Sequence, residues 1–388
     1  MANKRKKLKI VVAMSGGVDS SVAVALLKKQ GYFVVGVFMK FWKDPSVNSG
    51  QDGRSAENRC CSVESEKLAR LVAKKIGIPF YVINVEKEFK KKVVDYFLKE
   101  YKKGNTPNPC VVCNKEIKFG FLINKALKMG ADFVATGHYA RLGREIPNSK
   151  FKTIKLLKAR DKNKDQLYFL WQLDQKQLNR VLFPVGNYTK PQVRALARKF
   201  KLPTAKTPES QEVCFIQNTT NDFLKKYLKI KKGKIINKQG KILGEHQGLW
   251  FYTIGQRRGI GLSGGPYFVI AKDLKNNNLI VSKNEKDLFS KELILKNVNW
   301  ISGKYAVFCD RRIRRIGVSV KKQKLSLNVE VKIRYKSNFA KAKILGFGKS
   351  KVRVVFQRPQ KAVTPGQSAV FYKGKELLGG GVIIGGRA

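Results

Sequence analysis

Over its first third the chain alternates short β-branched runs with helix-length stretches, and that alternation leaves few folds open. Residues 8–14, 32–41, 80–85 and 132–136 read as strands. Between them Val22, Val24, Leu26 and Leu27 precede Gly31, Leu68, Leu71, Val72 and Ile76 precede Gly77, and Phe121, Leu122 and Leu127 precede Gly130. A glycine after each helical period suits a left-handed helix cap. Strands joined by crossover helices build a parallel sheet covered on both faces, which binds ligands beyond the carboxyl ends of its strands. Two loops should lie there: residues 43–58, rich in Asp, Ser, Gly and Asn, and residues 104–114, where Pro107 and Pro109 impose extended backbone.

The pattern changes downstream. Residues 166–172 read as a short strand, and Thr189, Pro191 and Gln192 read as a capping-box helix start with Leu196, Ala197 and Phe200 on its apolar side. From about residue 230 short, glycine-punctuated strands dominate. In residues 325–335, Leu325, Leu327, Val329, Val331, Ile333 and Tyr335 alternate with polar neighbours that include Arg334, so one face is buried and Arg334 falls on the wet one. Val352, Val354 and Phe356 continue the style, and the C-terminal part is expected to be a small antiparallel barrel. Gly348-Lys349-Ser350 and Gly379-Gly380-Gly381 imitate phosphate loops but lack a following helix.

Composition narrows the function. Lys and Arg number 80 against 27 Asp and Glu, a net charge of +53, while 43% of residues are hydrophobic. A core-forming chain with that excess is suited to a polyanion, although a lysine-biased composition accounts for part of it. The six cysteines, Cys60, Cys61, Cys110, Cys113, Cys214 and Cys309, form no dense framework and suit a reducing, cytoplasmic compartment. The basic start followed by an apolar run imitates a signal peptide, but Ser15-Gly16-Gly17 and Asp19 cut the run short, so a cytosolic strand is expected. No apolar stretch approaches the roughly 20 residues of a membrane span. With only His138 and His246 present, thiolates are the available soft metal ligands.

Three motifs carry chemistry. Ser15-Gly16-Gly17-Val18-Asp19-Ser20-Ser21 follows the first strand and opens the first helix. Its glycines admit backbone N–H groups to phosphate oxygens, the helix N-terminus favours anions, and Ser15, Ser20 and Ser21 add hydroxyls; a plain tight turn with a capped helix is the bland alternative. It lacks the G-x-x-x-x-G-K-[ST] pattern. The heptad resembles the PP-loop of ATP pyrophosphatases, which cleave ATP between the α and β phosphates and adenylate a carbonyl or amide oxygen. Next, Cys110 and Cys113 form a C-x-x-C behind Pro109, with a helix expected to start just after Cys113 and lower its pKa, assisted by Lys115 and Lys118. A zinc half-site or inert buried thiols are the structural alternatives. Third, Cys214 stands between the polar 207–212 stretch and Phe215-Ile216. Alone it reads as core; across the sheet edge from Cys113 it becomes a second thiol for sulfur transfer.

Taken in order, SGGVDSS, NTPNPCVVCNKEIKF, ATGHYAR (135–141), NKDQLYFL (163–170), SQEVCFI and YTIGQRRGIG (252–261) resemble the tRNA-specific 2-thiouridylases over nearly the whole chain. The resemblance implies an α/β fold: a parallel-sheet PP-loop (adenine nucleotide α hydrolase-like) catalytic domain over 1–215, a central tRNA-binding domain over 216–285 and a C-terminal antiparallel β-barrel over 286–388. It implies thiolation of the wobble uridine in tRNAs for Lys, Glu and Gln, with ATP adenylating the uracil C2 oxygen before a cysteine persulfide delivers sulfur. By motif, Cys113 matches the nucleophile and Cys214 the persulfide carrier. Ala13, Met14, Ser15, Gly16, Gly17, Val18, Asp19, Ser20, Met39 and Gly137 match ATP contacts. Asn108, Pro109 and Cys110, then Lys164, Asp165 and Gln166, and finally Arg334 and Tyr335, match tRNA contacts. Mg²⁺ is needed to screen the triphosphate, with Asp19 a candidate for the ion or its water shell. The sulfur donor would be a cysteine desulfurase or a relay protein.

One departure matters: Cys110 replaces the Asp that many relatives carry in N-P-D. Cys110, Cys113 and Cys214 would then offer three thiolates to a 4Fe–4S cluster with one open iron, in place of a persulfide route. The bland reading is that Cys110 merely substitutes for Asp. Rival functions are a lysidine synthetase, which needs no thiol, a noncatalytic RNA-binding protein, which makes no AMP, and small-molecule PP-loop ligases, which leave the thiols and the charge unexplained.

Overall fold

The structure, a computed structural model, describes residues 7–45, 62–144, 153–208, 213–302, 326–347 and 351–387. Cys60, Cys61, Cys309, most of the expected 43–58 loop, residues 209–212 and Gly348-Lys349-Ser350 lie outside the described residues. In chain order come β1 (Lys9–Ala13), α1 (Val18–Lys29), β2 (Phe33–Lys40), α2 (Val63–Ile76) and β3 (Phe80–Asn84). A helical run follows through α3 (Glu86–Phe89), a π-helical stretch (Lys90–Val94) and α4 (Asp95–Lys102). A second passes through α5 (Pro109–Cys113), another π-helical stretch (Asn114–Phe121) and α6 (Leu122–Lys128) to β4 (Phe133–Ala135). Then come β5 (Arg141–Arg144), β6 (Ile154–Leu157), α7 (Gln175–Leu178), β7 (Val181–Leu182), α8 (Lys190–Lys199) and α9 (Thr220–Tyr227).

The chain divides into two compact units, the first comprising Met1–Val94, Cys110–Gln217 and Lys375–Leu377. Its sheet has the order β3-β2-β1-β4-β7 with every pair parallel. Ile10, Val11, Val12, Val34, Val35 and Val37 are at most 2% exposed, which is why β1 and β2 read as continuous apolar runs rather than alternating ones. The four expected strands are present to within about two residues at each end. Gly31, Gly77 and Gly130 all take positive φ just beyond their helices, as expected of left-handed caps. Residues 166–172, expected as a strand, are instead a 3₁₀ turn over Leu167–Phe169. Leu167, Tyr168, Leu170, Trp171 and Leu173 are all buried, and consecutive burial of both neighbours needs a turn inside the core rather than a half-wet strand.

In the second unit β8 (Gly233–Ile236), β9 (Ile242–His246), β10 (Phe268–Asp273) and β11 (Asn278–Ser282) form a sheet of order β10-β11-β8-β9. β12 (Phe289–Trp300), β13 (Ser326–Lys332), β14 (Ala340–Phe347), β15 (Lys351–Lys361), β16 (Ser368–Lys373) and β17 (Glu376–Arg387) follow in the order β12-β15-β14-β13-β16-β17. Pairing of β12 with β17 closes them into an antiparallel barrel, which removes the unpaired edges of an open sheet. Val329, Val331, Ile344, Val354 and Phe371 fill it, so the alternation in β13 points where its sequence directs. The strand ends at Lys332, however, and Arg334 does not stand on its wet face: beyond the strand, Nη2 donates to the Ala362 carbonyl and, at 3.3 Å, to Thr364 Oγ1.

Candidate active site

In the sheet of the first unit, β1 connects through α1 to β2 on one side while β4 lies on the other, so the strand order reverses between β1 and β4. The crevice beyond their carboxyl ends is where such sheets bind ligands. Residues 14–19 enter it from β1. The Met14 N–H still bonds Val37 O at 2.8 Å, and Gly16 then turns at φ +73°. A Cβ on Gly16 would lie 2.3 Å from Ser65 O, so both backbone shape and space require glycine. Gly17 caps α1, whose first-turn N–H groups face the crevice. Ser15 N–H donates to Ser20 Oγ at 3.2 Å, and the Ser20 and Ser21 hydroxyls donate to Gly17 O at 3.1 and 2.9 Å. Ser21 is fully buried and therefore scaffolds the loop rather than adding a hydroxyl to a ligand.

The opposite wall comes from the segment after β4. A Cβ on Gly137 would lie 2.6 Å from Ser20 N and 2.8 Å from the Asp19 carbonyl carbon, so this glycine lets the two loops touch. Tyr139 Oη donates to Asp19 Oδ1 at 2.8 Å. Lys190, the first residue of α8, places Nζ 2.8 Å from both Asp19 carboxylate oxygens. Its own N–H donates to Asp161 Oδ2 at 2.9 Å, while Thr189 N–H donates to Gln192 Oε1 as the capping box requires. Lys190 and Tyr139 were not singled out by sequence reasoning. One signal was available: a lysine in the first turn of a helix opposes the macrodipole and calls for a local anion. Met39, a matched ATP contact, is buried near the end of β2.

His138, between these residues, is half-buried, and desolvation, with Lys118 nearby, holds its imidazole well below the usual pKa. Nδ1 lies 2.8 Å from Thr136 Oγ1, and the ring packs against Phe119 and Phe183. A neutral histidine so placed shapes the loop.

The thiols lie on two separate segments, Cys110 and Cys113 on one and Cys214 on the other. The helix bearing Cys113 begins at Pro109, not after Cys113, so Cys110 stands in its first turn and Cys113 one turn deeper, not at the helix start that its sequence suggested. Cys113 is buried, whereas Cys110 and Cys214 are half-buried. The π-helical stretch after Cys113 is anchored where Asn114 Nδ2 donates to Phe169 O and Gln177 Nε2 to Phe119 O. Beside Cys214, Phe215 packs edge-on to Phe89 with ring centroids 5.8 Å apart, and Phe89 in turn lies against Phe41 at 4.8 Å. Phe41 directly follows β2 and Phe89 closes α3 after β3. From the stretch following Phe89, Lys92 Nζ reaches Glu116 Oε2 at 3.4 Å, in the π-helical stretch that follows Cys113. Among the described residues no group of three or more His, Cys, Asp or Glu side chains is arranged to hold a metal ion.

The matched tRNA contacts are partly committed elsewhere. Asp165 Oδ2 accepts from Ala159 N–H at 2.7 Å and Oδ1 from Leu167 N–H at 3.2 Å. Gln166 Oε1 accepts from Tyr139 N–H at 2.9 Å, and Gln166 N–H donates to Tyr139 O. The 161–166 turn thus holds both partners of Asp19, Lys190 through Asp161 and Tyr139 through Gln166. Asn108 is half-buried ahead of α5, and Tyr335 O accepts from Lys332 Nζ at 3.0 Å.

Comparison with known proteins shows the family. Residues 8–218 match the family model of the tRNA methyl transferase HUP domain, residues 221–283 that of the tRNA methyl transferase PRC-barrel domain, and residues 290–383 that of the aminomethyltransferase beta-barrel domain. A protein of a Thermoanaerobacter species named tRNA-specific 2-thiouridylase MnmA 2 is 45% identical over 97% of this chain and 97% of its own. Proteins named tRNA-specific 2-thiouridylase MnmA from Carboxydothermus hydrogenoformans and Clostridioides difficile are 45% and 43% identical, each over 97% of this chain and 97% and 98% of their own.

Proposed function

This chain belongs to the MnmA family of tRNA-specific 2-thiouridylases, and on that premise we propose a division of labour among its residues. It is a tRNA sulfurtransferase whose PP-loop domain uses ATP. The crevice lined by Ala13, Met14, Ser15, Gly16, Gly17, Val18, Asp19, Ser20, Met39 and Gly137 binds the nucleotide, and the observation that carries the reading is that β1, β4 and α8 converge there on Asp19. A carboxylate at the mouth of an anion cradle fits Mg²⁺, which when bound would screen the triphosphate.

The uracil C2 carbonyl is a poor electrophile. Attack of its oxygen on the α-phosphorus expels pyrophosphate and leaves AMP as a leaving group. The terminal sulfur of a Cys214 persulfide then attacks C2, and AMP departs with the former uracil oxygen. The Cys113 thiolate takes the Cys214 sulfur, releasing 2-thiouridine and leaving a Cys113–Cys214 disulfide that a thiol reductant reopens. The persulfide itself is loaded by a sulfur donor, a cysteine desulfurase or a relay protein.

The substrate is a wobble uridine, whose place in an anticodon loop lets it be splayed out and read. Asn108, Pro109 and Cys110, the 164–166 turn, and Arg334 with Tyr335 contact the tRNA, and the net charge of +53 favours that polyanion. Residues 1–215 are the catalytic domain, 216–285 the central tRNA-binding domain and 286–388 the barrel. Among the described residues no helix is long and apolar enough to cross a membrane, and the cytoplasm is the proposed compartment. The test is mass spectrometry of nucleosides from tRNA incubated with the protein, ATP, Mg²⁺, a cysteine desulfurase with free cysteine, and a thiol reductant. 2-Thiouridine is expected; its absence, with no AMP formed, overturns the reading.

A further inference from the structure

The loop at residues 14–24, Met-Ser-Gly-Gly-Val-Asp-Ser-Ser-Val-Ala-Val, contains no lysine or arginine. Its hold on phosphate would rest on backbone N–H groups and a helix dipole, whereas phosphate loops of the G-K-[ST] kind add a lysine. The fold brings one from 171 residues away, as Lys190 Nζ sits 2.8 Å from both oxygens of Asp19 in the first turn of α1. We propose that Lys190 binds the phosphate oxygens of the bound nucleotide and that the Asp19 ion pair is its resting position. This rests on the ATP-dependent reading given above.

Four observations support the assignment. The Lys190 side chain is only 9% exposed while that of Asp19 is 30% exposed, so the ammonium is already stripped of most of its water at a carboxylate that still opens to solvent. Burying a cation is costly without an anionic partner, and Asp19 is that partner until phosphate arrives. The position is pinned at both ends, since Asp161 Oδ2 holds the Lys190 backbone N–H and the Tyr139 ring lies 5.8 Å from Nζ. Finally, Lys190 opens α8, where the macrodipole disfavours a cation, so local helix stability gives no reason for it to be there. An ammonium offers compact donors suited to a phosphate as a point charge. Asp161 and Tyr139 act through Lys190 and Asp19 and are positioning residues.

The experiment measures binding of a non-hydrolysable ATP analogue, inorganic pyrophosphate and adenosine to the full chain by isothermal titration calorimetry with Mg²⁺. Lys190→Met should lose about 10- to 100-fold in affinity for the analogue and for pyrophosphate, the range for one hydrogen bond between charged groups. Adenosine affinity should stay within about twofold, since uncharged groups do not meet the ammonium. Lys190→Arg should recover most of the loss. Unchanged analogue affinity, or an equal loss for adenosine, overturns the inference by making Lys190 a structural partner of Asp19. Should Lys190→Met not fold, Lys190→Gln, which keeps a hydrogen-bond donor for Asp19, carries the same test. Failure of the wild-type protein to bind the analogue would overturn the underlying reading as well, whereas wild-type AMP formation with an unaffected Lys190 variant sinks this inference alone.

Discussion

Replacing Gly137 by Ala should disable the nucleotide site far more than it destabilises the protein. The added Cβ would lie 2.6 Å from Ser20 N, 2.8 Å from the Asp19 carbonyl carbon and 3.0 Å from Asp19 Cβ. Two of these neighbours are backbone in the first turn of α1 and cannot swing aside, so the loops must part by up to about 1 Å to reach ordinary contact. Overpacking of this kind costs about 1–3 kcal/mol and lowers Tm by a few degrees. The same displacement pulls Asp19 from Lys190 and Tyr139, whose contacts are all 2.8 Å, and misplacement of about 1 Å in a reacting array costs about 100-fold in rate. Gly31→Ala is the control. Its backbone has φ +86° with nothing within 4 Å, so Ala adds left-handed strain of about 1–2 kcal/mol at the far end of α1 and nothing at the crevice. Calorimetry of both variants, with tRNA-dependent AMP formation measured alongside, separates the two effects. Wild-type AMP formation by Gly137→Ala, or an equal loss in Gly31→Ala, would refute the reasoning.

Other consequences follow from the thiols, His138 and Arg334. Cys113→Ser and Cys214→Ser should each abolish 2-thiouridine by mass spectrometry while leaving pyrophosphate release measurable, since adenylation precedes sulfur transfer. Burial depresses the His138 pKa in the folded state, so the unfolded chain binds the extra proton first: stability is whole above about 6.5 and falls as pH drops below it. Denaturant midpoints at pH 7.5 and 5.5 should therefore differ less in His138→Gln than in the wild type. Arg334→Ala removes one of two hydrogen bonds to the Ala362 carbonyl, which keeps Thr364 Oγ1 as a donor, and should cost about 0.5–1.5 kcal/mol of stability in urea titrations, in addition to any loss of tRNA affinity. A variant as stable as the wild type would show that bond to be dispensable.

The sheet strands, their glycine caps and the barrel alternation were legible because each depends on residues a few positions apart. The apolar run of β1, Gly31 beyond α1 and the alternation of Val329 and Val331 are local statements of geometry. The 3₁₀ turn at Leu167–Phe169 was not, since its apolar residues answer to a core on several sides. The start of α5 at Pro109 was missed for a related reason: proline suits a first helical turn as well as it suits an extended loop, and which prevails depends on what the next turn packs against.

At the site the division is sharper. Sequence alone determined the glycine turn between β1 and α1, because Gly16 and Gly17 shape backbone that lies between a strand and a helix in the chain itself. It also identified the thiols, whose chemistry belongs to the residue type. Only the tertiary structure decided that Lys190, Tyr139 and Asp19 form one array and that Lys92 pairs with Glu116. Charges separated by more than a hundred residues interact by distance in space, and that distance is set by the order in which strands pair, which no local stretch of sequence encodes.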